Sequence, residues 1–186
     1  MIEVEAIEGS DKVARIFVDE NPDSPREFDN LGRMFCIDRD YRFGDEFLEK
    51  FDMFEDWDEV EKYLIDEYGA EVILPLFIRE YSSCNMRIST NMSGRQVGFI
   101  FVSRDSIMKE YNRKKMSKKL RYMVVEVLKA EIDLYEKYAN REVYGYEIYS
   151  KVVDDNGDVS EKLLDSCWGF CGFDDVMEAI DEEMGV

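Results

Sequence analysis

Histidine is absent from this chain of 186 residues. That absence excludes a Ser-His-Asp triad, a Cys-His nucleophile pair, a histidine-ligated metal and an HExxH zinc site, and with them most common hydrolase chemistries. Long apolar runs are missing as well. The longest, Val72 to Ile78, has seven residues and contains Pro75, against the roughly 18–20 residues of a membrane span. The N-terminus, Met1-Ile2-Glu3-Val4-Glu5, is acidic, where a signal peptide is basic and then apolar. An intracellular protein is expected. There is no P-loop, GxGxxG or GxSxG motif, no repeat and no low-complexity stretch. No cofactor is expected.

Four cysteines, Cys36, Cys84, Cys167 and Cys171, should be reduced in that compartment and serve as small buried hydrophobes. A zinc site built from all four is the alternative. Only Cys167 and Cys171 lie close, with three residues between them, and an extended strand would point both to one face. The carboxylate groups Asp38/Asp40/Asp45 and Asp154/Asp155/Asp158 could hold a hard cation. The second group, however, has an early glycine, lacks a glutamate at the twelfth position of a calcium loop, and sits where a hairpin turn is expected.

What the chain does have is negative charge and enough apolar surface for a core. Acidic side chains number 43 and basic ones 24, for a net charge of −19, while 45% of residues are apolar and 13% aromatic. This is not the composition of a disordered acidic tail. Residues 19–80 hold 20 acids against seven bases, and residues 142–186 hold 13 against two. Residues 81–141 reverse the sign, with 13 bases against six acids.

The densest acidic stretch is Asp45, Glu46, Glu49, Asp52, Glu55, Asp56, Asp58, Glu59 and Glu61, and Asp174 and Asp175 open a second one near the C-terminus. Such a density keeps a protein soluble. It could also imitate the phosphate array of nucleic acid, which in duplex DNA amounts to about one charge per 1.7 Å of axis. The basic stretch contains Arg113, Lys114, Lys115, Lys118 and Lys119. These cations either offset the acidic bulk or touch phosphate locally. The net charge opposes binding of free DNA.

Apolar periodicity gives the elements. Residues 1–8 and 13–18 read as a hairpin across Gly9-Ser10-Asp11. Asn21-Pro22-Asp23-Ser24-Pro25 is a break, so a hairpin extension over 1–25 and a main domain over 26–186 are expected. Leu31–Ile37 reads as a strand, followed by a polar loop through Gly44. Asp56 should cap a helix over Trp57–Tyr68 that Gly69 ends, with Trp57, Val60, Tyr63 and Leu64 inward and Ile65 at the margin of that face. Val72–Ile78 should be an edge strand or carry a bulge, because of Pro75. Ile88–Thr90 and Gln96–Ser103 are strand-like, and a short helix to Tyr111 should start at Ser103 or Asp105. Ser117 should open a long helix to about Tyr138 or Asn140. Val143–Val153 and Val159–Phe170 flank Asn156-Gly157, a strong hairpin signal. Asp174 should cap a last helix. The expectation is an α+β fold: one antiparallel sheet with helices packed on one face and an N-terminal hairpin.

A series of short motifs runs through the chain in order. These are Asp29-Asn30-Leu31-Gly32-x-Met34, Arg39-Asp40-Tyr41-x-Phe43-Gly44-Asp45, Leu74-Pro75-Leu76, Ile88-Ser89-Thr90, Gln96-Val97-Gly98-Phe99-Ile100-Phe101-Val102-Ser103 and Asp165-Ser166-Cys167-Trp168-Gly169-Phe170. In this order they resemble a family of small acidic proteins carried by phages and other mobile elements, over roughly residues 26–173. Two stretches depart from the family pattern. Cys84-Asn85-Met86 stands where a small glycine-containing turn is usual, and Asn91-Met92-Ser93-Gly94-Arg95 replaces a Trp-Asp-Ser-Gly approach to Gln96.

The resemblance implies a type II anti-CRISPR, a non-enzymatic inhibitor of Cas9 or its guide-RNA complex in the cytoplasm of a bacterial host. It supplies no catalytic residues. The mechanism consistent with the charge is a DNA mimic that docks the acidic residues in a basic groove, with the basic stretch as a weaker second contact. The alternative is a phage or mobile-element interaction protein whose acidity serves solubility alone. A homodimer is left open.

Overall fold

The computed structural model describes residues 1–48, 53–82, 85–91, 93–153 and 159–184. Nine strands and four α-helices occur among them, and the fold is α+β. The N-terminal hairpin forms as expected, but the strands fall into two sheets rather than one. The chain divides into two compact units, 1–23 with 137–186 and 24–136. The Pro22–Pro25 break coincides with the first boundary. The second boundary lies inside a helix, where no composition shift marks it.

The first unit holds β1 (Ile2–Glu8), β2 (Lys12–Val18), β8 (Val143–Val153) and β9 (Val159–Cys171) in the order β1-β2-β8-β9, all antiparallel. The hairpin is thus the outer half of a sheet completed by the C-terminal strands. Helix α4 (Phe173–Met184) covers one face, burying Val176 and Ile180 on Ala14, Ile16, Tyr146 and Ile148. Both edges are bulged, at Val4 in β1 and at Leu164 and Gly169 in β9. Such bulges twist an edge away from pairing with another chain. The Gly169 bulge, at φ 89°, also shifts the strand by one residue. Cys167 therefore pairs beside Tyr146 and Cys171 beside Val143, on opposite faces, which corrects the one-face expectation. A Cβ at Gly145 would run into the Trp168 ring, which stacks on Phe17 at 6.1 Å.

The second unit holds β3 (Arg33–Ile37), β4 (Glu46–Leu48), β5 (Ala70–Ser82), β6 (Asn85–Ser89) and β7 (Arg95–Ser103) in the order β4-β3-β7-β5-β6. All pairs are antiparallel except β3 with β4, a parallel strand in the stretch the sequence reads as loop. Helix α1 (Trp57–Tyr68) covers one face, packing Val60 and Leu64 on Phe35, Ile37, Phe99 and Phe101. The opposite face meets α3 (Lys118–Ala139). A Cβ on Gly32 would collide there with Leu128 and press on Ile100, and Glu136 accepts the Ile88 N–H at 2.6 Å.

Helices on both faces correct the one-face expectation for this unit. The reason is legible in β7, where Val97 to Val102 are all buried. A strand with both faces covered is continuously apolar rather than alternating. β5 lies inside the sheet, not at its edge, and the alternative expectation of a bulge is met by the register shift between Leu76 and Phe77 in its pairing with β7. Pro75 is tolerated because β6 pairs only with the stretch from Phe77 onward, leaving β5 with one neighbour at Pro75. No helix among the described residues is long and apolar enough to cross a membrane.

Candidate interaction surface

The acidic stretch divides according to what each carboxylate touches. Asp45 and Glu46 serve the fold. Asp45 accepts two bonds from the Arg26 guanidinium, at 2.8 and 3.2 Å, and the Met34 N–H at 2.6 Å. Arg26 also reaches Glu131 at 3.1 Å, and Glu131 accepts the N–H groups of Leu31 (2.8 Å) and Gly32 (3.2 Å). The Arg26 and Glu131 side chains are only 5% and 10% exposed. Glu46 pairs with Arg33 and accepts the Tyr68 hydroxyl at 2.8 Å, and that bond is the main reason the Tyr68 phenol titrates above its usual range. Both carboxylates thus serve the fold while staying partly exposed, the Asp45 side chain at 23% and that of Glu46 at 38%. Glu49 and Asp52 lie outside the described residues.

Several motif residues behind the family resemblance lie in this same scaffold. Asn30 Nδ2 ties Pro25 O at 2.8 Å to Phe28 O at 3.0 Å. Gly44, at φ 80°, sits where a Cβ would come within 2.7 Å of Met34. A Cβ on Gly98 would strike the Phe35 carbonyl oxygen. Asp38 is a further buried charge of this unit. It accepts the Asp40 and Tyr41 N–H groups at 2.9 and 3.1 Å and pairs with Arg95. These residues hold backbone in place.

On α1 the picture differs. Asp56 caps the helix, accepting the Glu59 N–H at 3.0 Å, while Glu59 returns to the Glu55 N–H at 2.8 Å. Gly69 closes it in the left-handed conformation. Both carboxylates have this local role and stay exposed. Glu55, Asp58, Glu61, Asp66 and Glu67 are exposed and make no side-chain hydrogen bond or ion pair among the described residues. Ile65, placed at the margin of the inner face, is 47% exposed among them.

Seven carboxylates and one ammonium, Lys62, thus lie between Glu55 and Glu67. At about 1.5 Å per residue the row is about 20 Å long. Its net charge of −6 over that length is one charge per about 3 Å of axis, close to one nucleic-acid strand and about half the density of a duplex. Asp66 and Glu67 occupy the last turn, where the negative end of the helix dipole opposes them.

Helix α4, in the other unit, is also acidic. Asp174 and Asp175 stand inside its first turn rather than at the cap, because the helix begins at Phe173. Asp175 pairs with Lys137 at 3.3 Å. Asp181, Glu182 and Glu183 fill the last turn, where Lys12 caps the Glu183 carbonyl at 3.2 Å.

The basic stretch joins α2 (Arg104–Glu110) to α3. Ser103 caps α2, accepting the Ser106 N–H at 3.1 Å, and Ser117 caps α3, accepting the Leu120 N–H at 3.1 Å. Arg104 and Arg121, at its two ends, both pair with Glu71, at 3.8 and 2.9 Å. Arg113, Lys114, Lys115, Lys118 and Lys119 are exposed and form no ion pair among the described residues.

Cys36 is buried in β3, and burial pushes its thiol up to about 12. Cys167 is exposed, Cys171 is buried, and Cys84 lies outside the described residues, as do Asp154, Asp155, Asn156, Gly157 and Asp158. No grouping of three cysteine or carboxylate ligands placed to hold a metal ion occurs among the described residues. Comparisons with protein-family models, with curated proteins and with solved structures find no match to this chain.

Proposed function

We propose that this chain is a non-enzymatic inhibitor that lays the acidic face of α1 into a basic groove of a nucleic-acid-acting defence protein, in the cytoplasm of a bacterial host. Cas9 with its guide RNA is the partner that the sequence resemblance names. The observation supporting this reading is the row of exposed carboxylates from Glu55 to Glu67, most of them without any internal partner, at the charge spacing of a single strand. A rigid helix holds these charges without the ordering cost of a flexible tail. A field of this kind steers association and is screened by salt.

The test has two arms. Cleavage of a matched target by Cas9 is measured with this protein in large molar excess, and undiminished cleavage sinks the Cas9 assignment. Association with the captured partner is then timed for the triple substitution Asp58→Lys, Glu61→Lys, Asp66→Lys. A fall of about tenfold or more in the association rate is expected, with the dissociation rate changing less. An unchanged rate puts the contact elsewhere and leaves the acids a role in solubility.

A further inference from the structure

We propose that the segment from Lys109 to Lys119 is a contact surface for single-stranded nucleic acid, with phosphates on Arg113, Lys114, Lys115, Lys118 and Lys119 and a base held against Tyr111. The first observation is ion-pair economy. Acids outnumber bases 43 to 24; among the described residues, cations elsewhere either pair, as Arg15 with Glu161, Lys129 with Glu126, Lys137 with Asp175 and Lys151 with Glu8, or stand singly, as do Lys62, Arg87 and Lys162, whereas here five exposed cations fall within seven residues. It is the clustering of five cations without a counter-charge in a strongly acidic chain that sets this segment apart. The unit that carries them is also far less acidic than the chain, with 18 bases against 23 acids in residues 24–136. The objection from net charge to nucleic-acid contact is correspondingly weaker there, since charges beyond about 8 Å are screened at physiological salt.

The second observation is a cleft of about 430 Å³ that opens at the same segment. Tyr111, Lys109, Ser106 and Asn30 line it, with the acids Asp29, Glu110 and Glu131. An aromatic ring with an amide and a hydroxyl nearby suits an unstacked base, which a single strand can offer and a duplex cannot. The turn between cleft and cations is fixed. Asn112 sits at φ 48°, its N–H bonds Lys109 O at 3.3 Å, and the Arg113 N–H bonds Met108 O at 3.0 Å. The three acids that line the cleft, Asp29, Glu110 and Glu131, repel phosphate, which puts the backbone on the lysine side.

This inference is independent of the acidic-helix reading, because its probe is a bare oligonucleotide and no defence protein is present. Fluorescence anisotropy of labelled single-stranded RNA and DNA of about 15 nucleotides is followed from about 50 to about 200 mM salt. Five phosphate contacts predict a slope of about −3.5 in log affinity against log salt, and so a loss of roughly 100-fold across that range. Binding of both strands supports contact through phosphate, and binding of RNA alone supports it with the 2′-hydroxyl as the source of selectivity.

Lys114→Ala, Lys115→Ala, Lys118→Ala and Lys119→Ala together should flatten the slope to about −0.7, with an unchanged circular dichroism spectrum. Tyr111→Leu should weaken binding about 5- to 100-fold at fixed salt. Lys62→Ala, on α1, should change neither. Absence of binding at the lowest salt overturns the proposal. So does a duplex bound as tightly as a single strand, a slope unchanged in the quadruple variant, or capture by phosphatidylserine vesicles without capture of oligonucleotide.

Discussion

Replacing Arg26 by methionine tests how the motif-bearing segment is held. Methionine keeps most of the aliphatic stem and removes the charge, so packing is nearly conserved. Arg26 is 5% exposed at its side chain and joins Asp45, Glu131 and the Gly32 carbonyl. Without it, two carboxylates are left facing each other. Glu131 is 10% exposed and Asp45 23%. Stranding a buried charge costs about 3–5 kcal/mol, and the partial exposure of Asp45 favours the lower end, about 3 kcal/mol. For a chain of this length that is a fall in Tm of roughly 6–12 °C.

The assay is urea denaturation followed by circular dichroism, with Arg26→Met, Glu131→Gln and the double variant compared. Glutamine can still accept the Leu31 and Gly32 N–H groups, so the double variant removes a stranded charge while keeping the backbone contact. It should be more stable than Arg26→Met alone by about 1–2 kcal/mol. A loss below about 1 kcal/mol for Arg26→Met would refute the reasoning, as would a double variant that loses the plain sum of the single effects. Either result would mean that the segment from Pro25 to Met34 is held by packing and that its polar groups are incidental.

Three further outcomes follow from single positions. Asp66→Lys and Glu67→Lys should each raise stability by about 0.3–1 kcal/mol, because the last turn of α1 favours cations, whereas Asp56→Ala should lower it by about 1 kcal/mol through loss of the cap; thermal melts decide both. Gly98→Ala should cost about 3 kcal/mol or more, since the new methyl meets the Phe35 carbonyl and β3 and β7 must part; an unchanged urea midpoint would contradict the register. Burial holds the Cys36 thiol protonated to about pH 12, while an unfolded thiol ionises near pH 9. The contribution of this thiol to stability should therefore be constant below about pH 9 and fall as the pH rises to about 12, because only the unfolded state loses the proton in that window. Tyr146, raised to about 12 from 10 chiefly by burial, acts in the same direction, so Cys36→Ala should shallow the decline between about pH 9 and 12 without abolishing it.

Local chemistry made the elements legible, and their partnerships were not. Asp56 and Gly69 mark both ends of α1, and Ser117 marks the start of α3, because capping residues act within four positions. The pairing of Arg15 with Glu147 joins distant parts of the chain, and nothing near either residue signals it. The same holds for β4, whose three residues gain a parallel partner only after the chain has turned at Gly44. The face assignment of Cys171 failed through a single residue, since one bulge reverses every side chain beyond it. The covered state of both faces of the second sheet did have a signal, the unbroken apolar run from Val97 to Val102, which the expectation of a single one-faced sheet did not use.

The charge left for a partner depends on which acids have a task inside the molecule. A run of carboxylates in sequence weighs them all alike, yet Asp45 and Glu46 are spent on Arg26 and Arg33, and Asp56 and Glu59 cap a helix. What is left is defined by cost. Asp66 and Glu67 in the last turn of α1, and Asp181, Glu182 and Glu183 in the last turn of α4, stand where the helix dipole disfavours them; Lys118 and Lys119 stand in the first turn of α3, where it disfavours cations. A chain selected for stability alone would exchange these charges at almost no structural expense, since all are exposed. If they serve an opposite charge on a partner, reversing Asp66 and Glu67 must raise the melting temperature and slow association in the same variant. A variant gaining stability with no change in association would show that the adverse placement has no binding role, and the acidic row on α1 would lose its claim to be an interface.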